Sequence, residues 1–310
     1  MLALTAAADP PHVALTEAPD PEPAPHEALV AVRAFSLNRG ELKRVQTMEP
    51  GTVNGWDVAG VVERAAADGS GPKEGTRVVG LMNPGAWAQR AAVPTGVLAP
   101  VPDAVSFAQA ATLPVAGMTA LLALEIAGTP IGRRVLVTGA NGGVGRFAIQ
   151  LAALSRAHVT ALVRDPAQAP ALEALGAHAV VTALDGEYDV VVEGVGGATL
   201  GQAICHVAPD GTVVSFASTT TEETSFPTRE LFGRAPGATL RGLLVFPELA
   251  RSANRGTRLL TTLAGLVAAG DLDCSIQREA SWREAGEHVQ ALLDRTVTGK
   301  VVLHVDEVPR

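Results

Sequence analysis

Over the first hundred or so residues, apolar positions come in short runs of strand length. These are Ala28–Phe35, Val58–Arg64, Arg77–Leu81 and Trp87–Val93. Prolines from Pro10 to Pro102 and turns such as Asp68-Gly69 and Glu74-Gly75 separate them. Runs of this length with this punctuation predict a small, partly open β-barrel rather than a helical bundle.

The rhythm changes near residue 106. Ser106 is placed to cap a helix over Phe107–Leu113, which Pro114 is expected to break, and a second helix follows over Val115–Ala127. From there strands alternate with helices. A buried strand over Arg133–Thr138 leads through a glycine-rich loop into a helix over Val144–Arg156. Strands then fall over His158–Val163, Ala179–Thr182, Asp189–Glu193, Thr212–Phe216 and Thr239–Val245, with a helix near Ala167–Leu175. Such alternation predicts a parallel sheet covered on both faces. Beyond a helix near Arg251–Ala269, the predicted elements are a strand over Asp273–Glu279, a helix over Ser281–Asp294 and a strand over Thr298–Val305. This tail is expected to return to the first domain.

Composition narrows the classes. Of 310 residues, 47% are hydrophobic and 18% charged, which excludes intrinsic disorder. The formal charge of −8 argues against nucleic acid or an anionic membrane as the main partner. Two cysteines, Cys205 and Cys274, cannot form a disulfide scaffold or a four-cysteine zinc site. The N-terminus lacks a basic residue before its apolar stretch, and Asp9-Pro10-Pro11 interrupts it, so no export signal is expected. No run approaches the ~20 apolar residues of a membrane span. The expected compartment is the cytoplasm.

The strongest chemical signal is Thr138-Gly139-Ala140-Asn141-Gly142-Gly143-Val144-Gly145, between a β-branched strand and an amphipathic helix. That context is the dinucleotide-binding fingerprint. Gly139 permits the tight turn, Gly142 and Gly143 let backbone amides approach a diphosphate, and Gly145 permits close helix–strand packing. The helix N-terminus adds free N–H groups and about half a positive charge. Cofactor choice rests on the end of the second strand, where an acidic residue suits NAD and a basic one the 2′-phosphate of NADP. Arg164 holds that position and favours NADPH. The competing reading makes Arg164 a solvated residue and Asp165 the selector. The loop also fits the short-chain dehydrogenases, but those need a Tyr-x-x-x-Lys pair, and the one tyrosine, Tyr188, is followed four places on by Val192.

Further segments appear in order along the chain: Phe35-Ser36-Leu37-Asn38-Arg39-Gly40-Glu41, Gly55-Trp56-Asp57-Val58-Ala59-Gly60-Val61-Val62, Gly75-Thr76-Arg77-Val78-Val79-Gly80, Gly85-Ala86-Trp87-Ala88-Gln89, Ala111-Thr112-Leu113-Pro114-Val115-Ala116-Gly117-Met118-Thr119-Ala120, the stretch 189–197 (DVVVEGVGG), and Gly299-Lys300-Val301-Val302-Leu303. Together they resemble the medium-chain dehydrogenase/reductase superfamily, and within it the zinc-independent quinone oxidoreductases and enoyl reductases. The resemblance implies an α/β fold: a doubly wound Rossmann domain (113–267) inserted into a chaperonin-10-like, β-rich barrel domain (1–112 plus 268–310), with NADPH in the cleft between them. It also implies a homodimer formed by edge-to-edge sheet pairing, and a small apolar carbonyl or quinone as substrate.

No metal is expected. Where zinc-dependent relatives carry Gly-His-Glu, this chain reads Gly55-Trp56-Asp57, and no cysteine precedes residue 205. Asp57 with Glu41 falls short of three ligands.

Asn38 is carried over as a polar contact to the nicotinamide or the substrate carbonyl, against a reading as a turn-forming Asn. Thr119 is a candidate partner of the nicotinamide amide or a phosphate, or else a helix-interior threonine. Phe216-Ala217-Ser218 ends the fifth strand, where α/β sheets bind ligands. Leu244, Val245 and Phe246 end the expected sixth strand and are assigned alongside, Val245 and Phe246 to the cofactor and Leu244 to substrate, against simple core. Lys300 is expected to reach the cofactor from the returning tail, or to be solvated. Trp56 and Trp87 are expected to shape an apolar substrate pocket, Trp56 filling the vacant metal position, or to be core. No general acid is identified. The leading function is NADPH-dependent hydride transfer to quinones or α,β-unsaturated carbonyls. Two alternatives stand: an enoyl reductase on a biosynthetic intermediate, which a basic docking patch for an acidic carrier would support but for which the sequence offers only Arg251, Arg255 and Arg258, and a non-catalytic NADPH-binding sensor.

Overall fold

A computed structural model describes residues 1–306. In chain order the elements are β1 (Leu2–Ala6), β2 (Val13–Glu17), β3 (Glu27–Ser36), α1 (Arg39–Val45), β4 (Asp57–Arg64), β5 (Arg77–Leu81), β6 (Arg90–Pro94), β7 (Leu98–Pro100), α2 (Phe107–Ala111), α3 (Met118–Ala127), β8 (Arg134–Val137), α4 (Gly143–Leu154), β9 (His158–Leu162), α5 (Ala169–Glu173), β10 (Ala179–Val181), β11 (Tyr188–Glu193), α6 (Gly197–Cys205), β12 (Val207–Ser215), β13 (Thr239–Gly242), α7 (Val245–Ala250), α8 (Arg255–Ala269), β14 (Ile276–Ser281), α9 (Ala285–Leu293) and β15 (Lys300–His304). They form two compact units. One takes Met1–Met118 and Leu249–Arg310, the other Thr119–Glu248.

In the first unit, seven strands form one sheet in the order β14-β15-β3-β4-β5-β7, with β6 on β3. Strand β3, buried at seven of its ten positions, is the hub. The tail returns as expected: β15 pairs antiparallel with β3, Leu303 opposite Phe35. The core gathers Phe35, Val58, Trp87, Trp282 and Val301, all at 0% exposure. Four elements of this unit lie outside the sequence expectations: β1 and β2, which form an antiparallel hairpin with Leu4 opposite Leu15, the short β7 and the helix α1. Ser106 caps α2 as predicted, accepting from Gln109 N–H at 3.1 Å.

Pro114 does not break the chain's helical course. A π-helical turn over Leu113–Gly117 carries α2 through Thr112 into α3. Pro114 stands at the start of that turn, where its missing N–H is not needed. Helix α8, expected with the nucleotide-binding part, packs in the first unit. A Cβ at Gly256 would stand 2.6 Å from Val97, and one at Gly117 would stand 3.0 Å from Leu263.

The second unit holds a six-stranded parallel sheet in the order β10-β9-β8-β11-β12-β13. Numbered from its own first strand, this is the order 3-2-1-4-5-6, with the switch point between β8 and β11. Val135–Val137, Val190–Val192, Val213 and Val214 are at most 1% exposed, as parallel strands covered on both faces should be. The expected sixth strand stops early. Ladder pairing ends with Gly242 opposite Ser215, and α7 starts at Val245 with Pro247 in its first turn. Leu244, Val245 and Phe246 therefore do not end a strand. Among the described residues, no helix is long and apolar enough to cross a membrane.

Candidate functional site

The glycine loop of the second unit runs from the end of β8 into α4. Gly139 has a positive φ of 59°, and its carbonyl accepts Gly142 N–H at 2.9 Å. Gly145 is held against this turn. A Cβ there would stand 2.5 Å from Gly139 O and 2.7 Å from Ala140 Cα. The first bond closing the helix runs from Arg146 N–H to Gly142 O. The N–H groups of Gly143, Val144 and Gly145 precede it and are the free donors of the helix end. Asn141 Oδ1 is buried without a partner. A loop with close-packed backbone, free N–H groups and an unsatisfied acceptor fits a dinucleotide's diphosphate and ribose hydroxyls.

Thr138 has a different task from the one expected. It is fully buried, donates to Glu193 Oε1 at 3.2 Å and accepts Gly194 N–H at 3.0 Å. It ties the end of β8 to the end of β11 and presents no hydroxyl to a ligand. Glu193, also 0% exposed, accepts Val195 N–H at 2.7 Å, Gly196 N–H at 2.9 Å and Ser215 Oγ at 3.1 Å. One carboxylate thus sets the loops after β8 and β11 on both sides of the switch point. The sequence reading missed it, although a single acid closing the apolar run DVVVE just before glycines was the available signal.

Phe216 lies over the second of these loops. A Cβ at Gly194 would stand 2.3 Å from its ring. Ala217 and Ser218 follow, exposed, with Ser218 Oγ donating to Thr220 O at 2.6 Å. Arg164 is exposed just past β9, and Asp165 is occupied as a cap, accepting Ala167 N–H at 3.0 Å. Thr119 is buried in the first turn of α3. Leu244 is 60% exposed, Val245 is buried and Phe246 half-buried. Tyr188 begins β11, at the strand end opposite the glycine loops, and its hydroxyl donates to Asp185 O at 3.1 Å.

The polar centre of the first unit lies where β3, β4 and β15 meet α1. Lys300, 2% exposed, donates to Asn38 Oδ1 at 2.8 Å and Leu37 O at 3.3 Å, and pairs with Asp57 Oδ2 at 3.5 Å. It is neither solvated nor free to extend. Asp57, 0% exposed, accepts Ser36 Oγ at 2.5 Å, Asn38 Nδ2 at 2.8 Å and, on its other oxygen, Val115 N–H at 2.8 Å. A buried carboxylate is tolerated here because four donors meet it, the Lys300 ammonium among them. Asn38 starts α1, and Glu41 reaches back to accept its N–H at 2.7 Å. Glu41 also accepts Trp56 N–H at 2.5 Å. Complete burial pushes the Glu41 carboxyl up to about 8. Nearby Asp57 adds to the rise, and Lys300 opposes it. Asn38 and Lys300 were named from sequence. The sequence presents Asp57 and Glu41 only as inadequate metal ligands and assigns Ser36 no role of its own.

Trp87 is not pocket lining. It is 0% exposed, its ring centroid 5.9 Å from that of Phe35, inside the barrel core. Its bulk explains Gly55: a Cβ there would stand 2.4 Å from the indole. Trp56 is half-buried, its ring against Gly40 and its Nε1 donating to Asn83 at 3.1 Å. Among the described residues no three His, Cys, Asp or Glu side chains converge on a point that could hold a metal ion.

Two family models match the chain, the alcohol dehydrogenase GroES-like domain over residues 24–103 and the zinc-binding dehydrogenase over residues 171–303. A quinone-oxidoreductase homolog of Spinacia oleracea is 35% identical over 157 residues, 46% of this chain and 48% of that protein. The chain thus matches about half the length of that relative. Prostaglandin reductase-3 of Mus musculus is 29% identical over 296 residues, 86% of this chain and 76% of that one. Among solved structures, the quinone oxidoreductase from Coxiella burnetii superposes with a TM-score of 0.85 at 27% identity, covering 99% of each chain.

Proposed function

The chain belongs to the medium-chain dehydrogenase/reductase superfamily, and from that premise we propose that it is a zinc-independent, NADPH-dependent reductase of quinones or α,β-unsaturated carbonyl compounds. The observation that carries the reading is the glycine loop at the switch point of the second unit, with Arg164 exposed beyond the next strand.

A reduced nicotinamide, when bound, supplies the hydride. The protein's own residues bind and orient. Backbone N–H groups of Gly143, Val144 and Gly145 hold the diphosphate at the start of α4, assisted by the helix dipole. Asn141 Oδ1 takes a ribose hydroxyl, and the Arg164 guanidinium pairs with a 2′-phosphate. Phe216 and Ser218, at the carboxyl end of β12, border the same crevice. In the first unit Asn38 offers its amide to a carbonyl oxygen. Negative charge gathers on that oxygen as hydride adds to a conjugated carbon, so a hydrogen bond aimed there lowers the barrier. An enone or quinone delocalises the arriving pair of electrons onto its own oxygen, which makes a Lewis acid unnecessary.

We also propose a homodimer. Strand β13 is one outer edge of the six-stranded sheet, β10 being the other, and Leu240 on it is 51% exposed. An open edge invites pairing with a second copy.

A stopped-flow trace of NADPH absorbance with a panel of benzoquinones and enones tests the activity. Oxidation saturating in both cofactor and acceptor is expected. No oxidation above the protein-free rate with any acceptor defeats the reading.

A further inference from the structure

The first unit fixes the orientation of one amide. The side-chain ammonium of Lys300 has only donors, so the Asn38 atom facing it at 2.8 Å is the carbonyl oxygen. The Asn38 NH2 then faces Asp57, to which it donates one N–H at 2.8 Å. The second N–H makes no hydrogen bond among the described residues. Asn38 is half-buried, while Lys300 and Asp57 are closed from solvent. An unconstrained asparagine offers a ligand either face of its amide. Here the acceptor face is consumed inside the protein and the donor face remains.

We propose that Lys300 is a positioning residue that turns Asn38 into a pure hydrogen-bond donor, so that the substrate atom recognised in this unit is an acceptor, a carbonyl or quinone oxygen. This rests on the reductase reading above and deepens it, since it specifies the polarity of the substrate contact. Lys300 itself touches no ligand. Its ammonium is spent on Asn38, Leu37 and Asp57. The pair also explains why a lysine is buried so deeply. Asp57 balances its charge, and the Leu37 carbonyl takes a further donor.

Two measurements test it. In the full chain with 15N-labelled side-chain amides, the Asn38 pair is assigned by its loss in Asn38→Ser; the chain has only five asparagines. One Asn38 proton is expected to exchange slowly, held by Asp57. The other is expected to exchange fast and to shift when cyclohexanone, an unreactive ketone, is added. Equal exchange of both protons, or no shift with ketone, overturns the proposal. In kinetics, Lys300→Met is expected to lower kcat on an enone about 10–100-fold, with KM for NADPH within about twofold, since a misaimed donor is lost from the reacting oxygen. Lys300→Arg is expected to recover part of the loss. If kcat per folded molecule is unchanged in Lys300→Met and only Tm falls, the lysine serves stability alone and the proposal fails. Should that variant not fold, the amide measurement on the parent decides. A parent that oxidises no NADPH defeats the functional reading instead, and leaves the amide result to be judged on its own.

Discussion

Adding one methyl group at Gly145 probes the glycine loop directly. A Cβ at this position would stand 2.5 Å from Gly139 O, 2.7 Å from Ala140 Cα and 2.8 Å from Ala140 O. All three are backbone atoms, so no rotamer change relieves the clash. Against a contact distance of about 3.5 Å, the loop must retreat by roughly 1 Å. Overpacking of this kind costs about 1–3 kcal/mol, from which the better helix propensity of alanine returns at most ~1 kcal/mol. At about 2–4 °C per kcal/mol in a domain of this size, the mid-range net cost of about 1 kcal/mol should lower the Tm of Gly145→Ala by roughly 2–4 °C. The same retreat misaligns the N–H groups aimed at the diphosphate. Losing one hydrogen bond to a charged acceptor costs about 1.5–3 kcal/mol, so the NADPH Kd should rise at least about tenfold. Gly142→Ala is the control for stability. Gly142 has φ −77°, and the nearest atom to an added Cβ is Gly139 O at 3.3 Å. It should melt close to the parent. Thermal melts and NADPH fluorescence titrations give both quantities. If Gly145→Ala melts with the parent and binds NADPH within twofold, the packing argument is wrong.

Arg164→Ala should weaken NADPH by roughly 10–100-fold through loss of a charge-assisted contact to the 2′-phosphate, and leave NADH within about twofold. Equal effects on the two cofactors would remove Arg164 as the selector. Glu41 has its carboxyl raised from 4.5 to about 8 in the folded chain, so between those values the folded state holds a proton the unfolded state has lost. Stability should therefore fall as pH rises through that window, at up to about 1.4 kcal/mol per pH unit. Urea melts across this range should show a shallower slope in Glu41→Gln, and an unchanged slope would contradict the assignment. Leu240→Lys should place a charge on the open edge of β13 and convert a dimer to monomer by light scattering, without lowering Tm by more than a few degrees. A parent that is already monomeric, or a variant that stays dimeric, rules out that edge.

Much of the architecture was legible because periodicity and punctuation agreed. Val135–Val137, the glycine loop and Val190–Val192 carry their own burial pattern, and β5 was read to the residue. What failed was decided by context. Pro114 reads as a breaker, yet its position at the start of a π-turn makes its missing N–H harmless. Leu244–Phe246 reads as strand, but the ladder ends when Gly242 has paired with Ser215. Trp87 reads equally as core or pocket, and only its stacking on Phe35 decides. The candidate site divides the same way. The glycine loop is a local signal. The Asn38–Asp57–Lys300 centre is not, because its members lie on β4, β15 and the start of α1, up to 262 residues apart. Asp57 looked like half a metal site because sequence shows a carboxylate without showing the four donors already around it.

Hydride transfer itself can be followed with NADPH deuterated at the nicotinamide C4 on the transferred face, cyclohex-2-enone as acceptor, and mass spectrometry with NMR of the product. A reductase of this kind should deliver one deuterium to the β-carbon of cyclohexanone at a rate matching cofactor oxidation. Cofactor oxidation without deuterium in the product, across enones and with no quinone reduced, would contradict the account.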